Sequence, residues 1–163
     1  MIRTVLGTDI SAIVDIYNYY IEETIATFEE QTITADDMHS RITKVSGDNL
    51  PWLVAEDDSG QVVGYAYACK WRERFAYRFS VEITVYLSVN HAQQGLGTQL
   101  YTALFDELKN RAIHSVIGGI SLPNPASIAL HEKFGMKQVA HFKDVGFKFG
   151  QWLDTGYWQG KIR

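Results

Sequence analysis

The 163 residues match one domain of ordinary size, long enough to bury about 70% of the unfolded surface without disulfide or metal support. Apolar residues at 46% and charged residues at 21% exclude wholesale disorder and fibrous repeats, while a net charge of −4 lacks the cation excess that phosphate backbones and anionic lipid require, so neither nucleic acid nor membrane is expected as a partner. One cysteine, Cys69, no apolar run of about 18 residues and no signal core after Met1-Ile2-Arg3 lead to the expectation of a single cytoplasmic domain over residues 1–163.

In chain order, Asp9–Glu23 carries Ile10, Ile13, Val14, Ile16, Tyr17, Tyr20 and Ile21 at helical spacing, with Thr8 placed to cap the start. A second helix begins at Thr34, whose offset to Asp37 has the form of a capping box, and Met38, Ile42 and Val45 give it an apolar stripe. The period then changes. Trp52–Glu56 and Val62–Lys70 read as strands joined by a hairpin loop at Asp57-Asp58-Ser59-Gly60. Residues 81–89 alternate most sharply: Val81, Ile83, Val85, Leu87 and Val89 face one way, and Glu82, Thr84, Tyr86 and Ser88 the other. A glycine-containing turn at 95–97 opens a helix with Leu100, Leu104 and Leu108 in line and Tyr101 and Phe105 beside them. An apolar strand covers Ser115–Ile120, and Asn124-Pro125 starts a further helix that stops at Gly135. The tail, about 138–158, forms two strands around Phe149-Gly150-Gln151. This order predicts an α/β (α+β) mixed sheet covered by helices. The unit from 81 to 120 is expected to be a right-handed parallel crossover, with a ligand site at the carboxyl ends of its strands.

Four stretches carry chemistry, and each admits two readings. Gln93-Gln94-Gly95-Leu96-Gly97-Thr98 suits phosphate binding by free amides at a helix start, or is an ordinary strand-to-helix turn; it is neither a Walker loop nor a full dinucleotide fingerprint. Glu82 is either a general base whose pKa partial burial raises, or part of a solvated strand face. His131 projects about 100° from Leu130 on a helix whose packed side is Ala126, Ala129, Leu130 and Phe134, so it is a surface or satisfied histidine or a proton carrier. The five histidines show no metal-ligand spacing, and no metal is expected. Lys70 to Arg78 holds four of the chain's fifteen Lys and Arg residues, interleaved with aromatics. That loop suits a small carboxylate or other oxyanion, or is a solvated loop or subunit contact.

Order and spacing join these signals. Tyr17-Asn18 with Tyr20-Ile21, Pro51 through Glu56, Gly64-Tyr65-Ala66, Val81-Glu82, Val85-Tyr86, Gly95-Leu96-Gly97, Leu122-Pro123-Asn124, Ser127, Leu130-His131-Glu132 and Gly146-Phe147-Lys148 through Trp152 and Asp154 together resemble the GNAT family of acetyl-CoA-dependent N-acetyltransferases. Within it, they resemble the phosphinothricin and methionine sulfoximine acetyltransferase branch. The resemblance covers residues 17–154. It departs at Ala92, where the family usually has Gln or Arg, leaving phosphate binding to backbone amides.

The resemblance implies a single splayed central sheet flanked by about four helices. Main-chain groups of Val85, Tyr86 and Leu87 would pair with the pantetheine arm of acetyl-CoA, and amides of Gln93, Gln94, Gly95, Leu96, Gly97 and Thr98 would hold the pyrophosphate. Asn124 and Ser127 would contact the same arm. Glu82 is similar to the family's general base, His131 takes the place of a general acid or base, and Arg72, Arg74, Phe75 and Tyr77, with Glu82, would grip the acceptor. Cys69 is read as a strand residue. The implied reaction moves an acetyl group directly to the α-amino group of a phosphinothricin-, methionine sulfoximine- or methionine sulfone-like molecule. A broader amino-acid or amine acetyltransferase, a peptide acetyltransferase, a non-catalytic acyl-CoA sensor and a nucleotide-dependent oxidoreductase are the alternatives. The resemblance also implies a homodimer.

Overall fold

The structure is a computed structural model and describes residues 1–162. Seven strands form one sheet in the order β1 (Ile2–Thr4), β2 (Trp52–Glu56), β3 (Val62–Lys70), β4 (Ser80–Leu87), β5 (Ser115–Leu122), β7 (Gln151–Lys161) and β6 (Lys137–Lys148). Every pairing is antiparallel except β4 with β5. Four helices cover it: α1 (Ile10–Glu23), α2 (Ala35–Gly47), α3 (Leu96–Asn110) and α4 (Pro125–Lys133). The mixed sheet with four helices is the architecture expected from the order of elements.

Two apolar layers fix which helix lies where. The alternation in β4 sends Val81 and Ile83 to one face, where they join Leu100, Tyr101, Leu104 and Leu108 of α3 in a core that excludes water almost completely. On the opposite face Ile13, Ile16, Tyr17 and Ile21 of α1 and Met38 and Val45 of α2 pack with Trp52, Val54 and Tyr65. Burying one such aliphatic or aromatic side chain contributes about 1.5–3 kcal/mol, so the two stripes decide the docking of the helices.

Local signals behave mostly as the chain order predicts. Thr34 Oγ1 accepts from Asp37 N at 3.1 Å and the Asp37 carboxylate accepts from Thr34 N at 3.0 Å, which completes the capping box of α2. Asp57 Oδ1 accepts from the amides of Ser59 and Gln61, closing the β2–β3 hairpin. Two expectations fail. Thr8 does not cap α1: it lies in a 3-10 turn, Gly7–Asp9, and the buried Asp9 carboxylate instead accepts Leu6 N at 2.7 Å and a bidentate pair from Arg3. The alternating strand ends at Leu87, and Val89, 52% exposed, sits in a 3-10 turn rather than on the apolar face. The two tail strands flank the turn at 149–150 as expected, and β1, too short to show a period, pairs with β2.

One feature of register creates the site. β4 is paired along its whole length with β3, but with β5 only through Ser80–Glu82 opposite Ser115–Ile117. From Ile83 onward the two parallel strands separate, and the β4 edge facing β5 has no strand partner.

Candidate active site

A cavity of about 800 Å³ opens where β4 and β5 part. One wall is the free edge of β4, including Val85, Tyr86 and Leu87; the opposite wall is the end of β5 with the start of α4. Of the main-chain groups on that edge, the Leu87 carbonyl is engaged, accepting from Tyr20 Oη at 2.5 Å. The floor at one end is the turn before α3. Gln93 and Gly95 both adopt positive φ, 63° and 79°, and the first hydrogen bond of the helix is Gln99 N to Gly95 O. The amides ahead of Gln99 are therefore not consumed by the helix, and a helix N-terminus with free N–H groups favours an anion. Gln93, Gly95, Gly97 and Thr98 line the cavity; Gln94 does not, and Leu96 packs against the core. Gly97 is needed for contact rather than for its φ, because a methyl group there would stand 3.2 Å from Leu130 Cδ2.

Asn124 caps α4, its Oδ1 accepting from Ser127 N at 3.2 Å, and lines the cavity together with Ser127. Lys133 also faces the cavity and donates to Thr98 Oγ1 at 3.3 Å. It sets a cation beside the turn that the glycines shape, at a position the spacing of residues does not single out.

Glu82 lies half-buried on the cavity wall with Thr84, on the β4 face turned toward α1 and α2. Burial raises its pKa, and the Arg72 charge works in the opposite direction. A carboxylate so placed is ionised less readily than usual and so holds a proton more firmly. Its neighbour across the strands is Cys69, whose thiol burial and the Glu82 charge push up to about 11. A thiol held that far from ionisation is a poor nucleophile, which fits a strand residue.

His131 is not a surface residue. It is 3% exposed, because the helix turns it under the end of β5 and Gly118 leaves the space: a methyl group at Gly118 would lie 2.5 Å from the imidazole Cδ2. Nδ1 sits 2.7 Å from the Ser127 carbonyl oxygen and Nε2 lies 3.0 Å from Tyr101 Oη. A carbonyl only accepts, so Nδ1 carries the proton and Nε2 accepts from the tyrosine hydroxyl. Burial lowers the imidazole pKa, with the Ser127 carbonyl opposing it. The ring is neutral and both nitrogens are engaged. Tyr101, fully buried yet part of the cavity lining, is a polar residue that the helical stripe disguises as core.

The structure does not bring Arg72, Arg74, Phe75 and Tyr77 to the cavity lining. All four are exposed, Arg72 stacking 4.4 Å over the Trp71 ring, while Phe75 and Tyr77 belong to a 3-10 turn. The loop nevertheless stands near the mouth, since Trp71 meets Tyr157 edge to face at 5.8 Å and Tyr157 lines the cavity. Ala26, Thr27 and Phe28 also line the cavity, from a segment that shows no period in the sequence. Among the described residues, no three His, Cys, Asp or Glu side chains converge as a metal site, and no helix is long and apolar enough to cross a membrane.

This geometry coincides with that of known proteins. The family model "Acetyltransferase (GNAT) domain" matches residues 2–156. Phosphinothricin N-acetyltransferase of Streptomyces viridochromogenes is 39% identical over 158 residues, 97% of this chain and 85% of its own. L-methionine sulfoximine/L-methionine sulfone acetyltransferase of Salmonella typhimurium is 35% identical, over 97% of this chain and 92% of its own. The crystal structure of a phosphinothricin acetyltransferase from Sinorhizobium meliloti in complex with acetyl-CoA superposes with a TM-score of 0.97 at 35% identity, covering 99% of this chain and 88% of that one. The parted strands, the glycine turn at the start of α3 and the end-to-end match together mean that the chain is an acyltransferase and belongs to the GNAT acetyltransferase family.

Proposed function

We propose that the protein transfers the acetyl group of acetyl-CoA to the amino group of a small amino-acid-like acceptor of the phosphinothricin, methionine sulfoximine or methionine sulfone type. The observation that carries this reading is the unpaired edge of β4 from Ile83 to Leu87, lying beside a half-buried carboxylate. Main-chain groups of Val85 and Leu87 lie on the free edge and would pair with the pantetheine arm as a strand partner does, while those of Tyr86 between them turn to β3. The Leu87 carbonyl is the exception, being held by Tyr20. The amides of Gln93 to Thr98, with Lys133, face the pyrophosphate, and the amide nitrogen of Asn124 is left to donate to the arm. The fit rests on the free amides ahead of Gln99 and on the absence of a side chain at Gly95.

The amino group of a free amino acid is protonated at pH 7 and attacks a carbonyl only after losing that proton. Glu82, its pKa raised by burial, takes the proton directly or through a water. Acetyl-CoA supplies the thioester carbon, where a C–N bond forms as the C–S bond breaks and the departing sulfur takes up a second nitrogen proton. His131 remains neutral and holds the Tyr101 hydroxyl. With no free lone pair, it is a weaker candidate for the base than Glu82. Alignment of two bound reactants contributes about 7–11 kcal/mol, so no covalent enzyme intermediate is required.

A second reading has a specific observation behind it. Among the described residues no arginine lines the cavity, which favours a broader amine or amino-acid acceptor unless the 71–79 loop closes on it or is supplied by a second copy. The exposed Phe75, Tyr77 and Phe79 of that loop, and Phe142, Phe147 and Trp152 of the β6–β7 hairpin, support a homodimer. The half-buried free thiol of Cys69 supports a reducing, cytoplasmic setting.

A panel of free amino acids, methionine sulfone, methionine sulfoximine, phosphinothricin and dipeptides, each with acetyl-CoA and a thiol reagent, tests the proposal. Amine-dependent thiol release with the sulfone, sulfoximine or phosphinothricin and not with dipeptides is expected. Equal release with amines lacking a carboxylate supports the broader acceptor, and binding of acetyl-CoA with no amine-dependent release overturns catalysis in favour of a sensor.

A further inference from the structure

Gly146, Phe147 and Lys148 end a strand remote from Glu82, and nothing in the transfer reaction as described uses them. Lys148 is nonetheless 1% exposed, the most deeply buried charged residue among those described. Its Nζ donates to two main-chain carbonyls, Thr24 O and Thr27 O, both at 2.8 Å, and lies 5.0 Å from the centre of the Phe149 ring. Among the described residues no carboxylate stands within ion-pair distance of it. A buried ammonium is costly, and an apolar side chain of the same length would fill the space more cheaply. What only the ammonium does is fix two carbonyls three residues apart.

Those carbonyls belong to the segment between α1 and α2, residues 24–34, which contains no helix or strand. Its far end is tied by Asn18, which exchanges two hydrogen bonds with the backbone of Ile33. At its near end Ala26, Thr27 and Phe28 form part of the wall of the cavity that Glu82 and Thr84 also line. Tyr17 Oη meets Thr27 Oγ1 at 2.9 Å, holding the side chain of that residue but not its carbonyl. The hairpin reaches this segment because the β6–β7 register shifts between Phe142 and Gly146, a bulge of the kind that bends a strand. At Gly146 the missing side chain leaves the seat of the Phe28 ring, which a methyl group would overlap. Two residues of one strand end thus hold two residues of one cavity wall.

We infer that Lys148 is a positioning residue for the acceptor: through the carbonyls of Thr24 and Thr27, and with Phe28 seated on Gly146, it holds the wall against which the amine is presented to Glu82. This rests on the acetyl-transfer reading. It differs from a purely structural role in what it predicts. α3, which the glycine turn opens, packs in the apolar layer opposite the one that holds α1, so loosening the wall acts on the acceptor and leaves acetyl-CoA binding in place.

Lys148→Met and Gly146→Ala test it, with methionine sulfone as the acceptor, acetyl-CoA titrated separately, and amide hydrogen exchange followed across the chain. Lys148→Met removes two hydrogen bonds to a charged donor and is expected to raise the acceptor KM about tenfold or more, with the acetyl-CoA KM changing less than about twofold. Amides of 24–29 should exchange faster while those of α3 keep their protection. Gly146→Ala, which displaces Phe28 and leaves the ammonium in place, should give the same split. The inference is overturned if folded Lys148→Met keeps the acceptor KM and the exchange of 24–29, or if both substrates lose affinity equally. Should Lys148→Met not fold, Gly146→Ala decides, and an unchanged or equal effect on the two KM values overturns it. A wild-type protein that acetylates no acceptor contradicts the acetyl-transfer reading, while the exchange comparison still decides whether Lys148 holds the wall.

Discussion

Glu82 carries opposite consequences for activity and for stability. Its carboxyl is raised by burial, so the folded protein prefers it protonated, and ionising it near pH 7 costs stability that the unfolded chain does not lose. Glu82→Gln should therefore melt no lower than the parent at pH 7. The same substitution should lower kcat by about 10²–10⁴-fold with acetyl-CoA affinity unchanged. In the parent, kcat should fall as pH drops through the raised Glu82 pKa; in the variant that limb should vanish, which a pH–rate profile checks. Arg72→Ala should chiefly raise KM for acceptors with a carboxylate, measured against the carboxamide analogue, and an equal effect on both would exclude a carboxylate contact. At this scale Glu82 was legible only as a carboxylate on the polar face of an alternating strand, open to a general base or a solvated face until the resemblance singled it out. His131 was not: the spacing in α4 marks its neighbours as the packed side, and the only trace of its burial is a glycine on another element, Gly118, which has no meaning until β5 and α4 are brought together. Tyr101→Phe should cost about 1–3 kcal/mol in chemical unfolding by leaving Nε2 of His131 without a donor.

At the scale of elements, signals confined to one turn of chain were the ones that could be read. The capping box at Thr34 needs only three residues, and Thr34→Ala should cost about 1 kcal/mol, seen as a shift in the denaturant midpoint with an unchanged slope. The start of α1 was misread because Asp9 is claimed by Arg3, on a strand too short to announce itself. Arg3 holds the Asp9 carboxyl below the usual range. A depressed carboxyl contributes stability above its ordinary pKa of about 4 and loses it as pH falls further. Asp9→Asn should accordingly lose stability at pH 7 and close the gap with the parent in acid. The splay between β4 and β5 is likewise illegible locally, since the alternation of β4 continues unbroken through the point where pairing stops. The resemblance carried that feature into the sequence reading; periodicity did not. The wall at 26–28 had no signal of either kind.

For the whole molecule, one sheet with two apolar layers leaves a band of large apolar side chains uncovered on the hairpin, with Trp152 65% exposed and Phe147 53%. If a second copy covers it, Phe147→Asp with Trp152→Asp should sediment as a monomer where the parent sediments as a dimer. On the proposed function, acetyl-CoA is expected along the unpaired β4 edge, with its pyrophosphate over the turn that opens α3. A crystal structure of the acetyl-CoA complex tests it most directly. Pantetheine beside Val85, Tyr86 and Leu87, phosphates on the amides of 93–98 and the thioester carbon on the Glu82 side are the predicted result. A cofactor seated elsewhere, or one that leaves the β4 edge exposed to water, would contradict it.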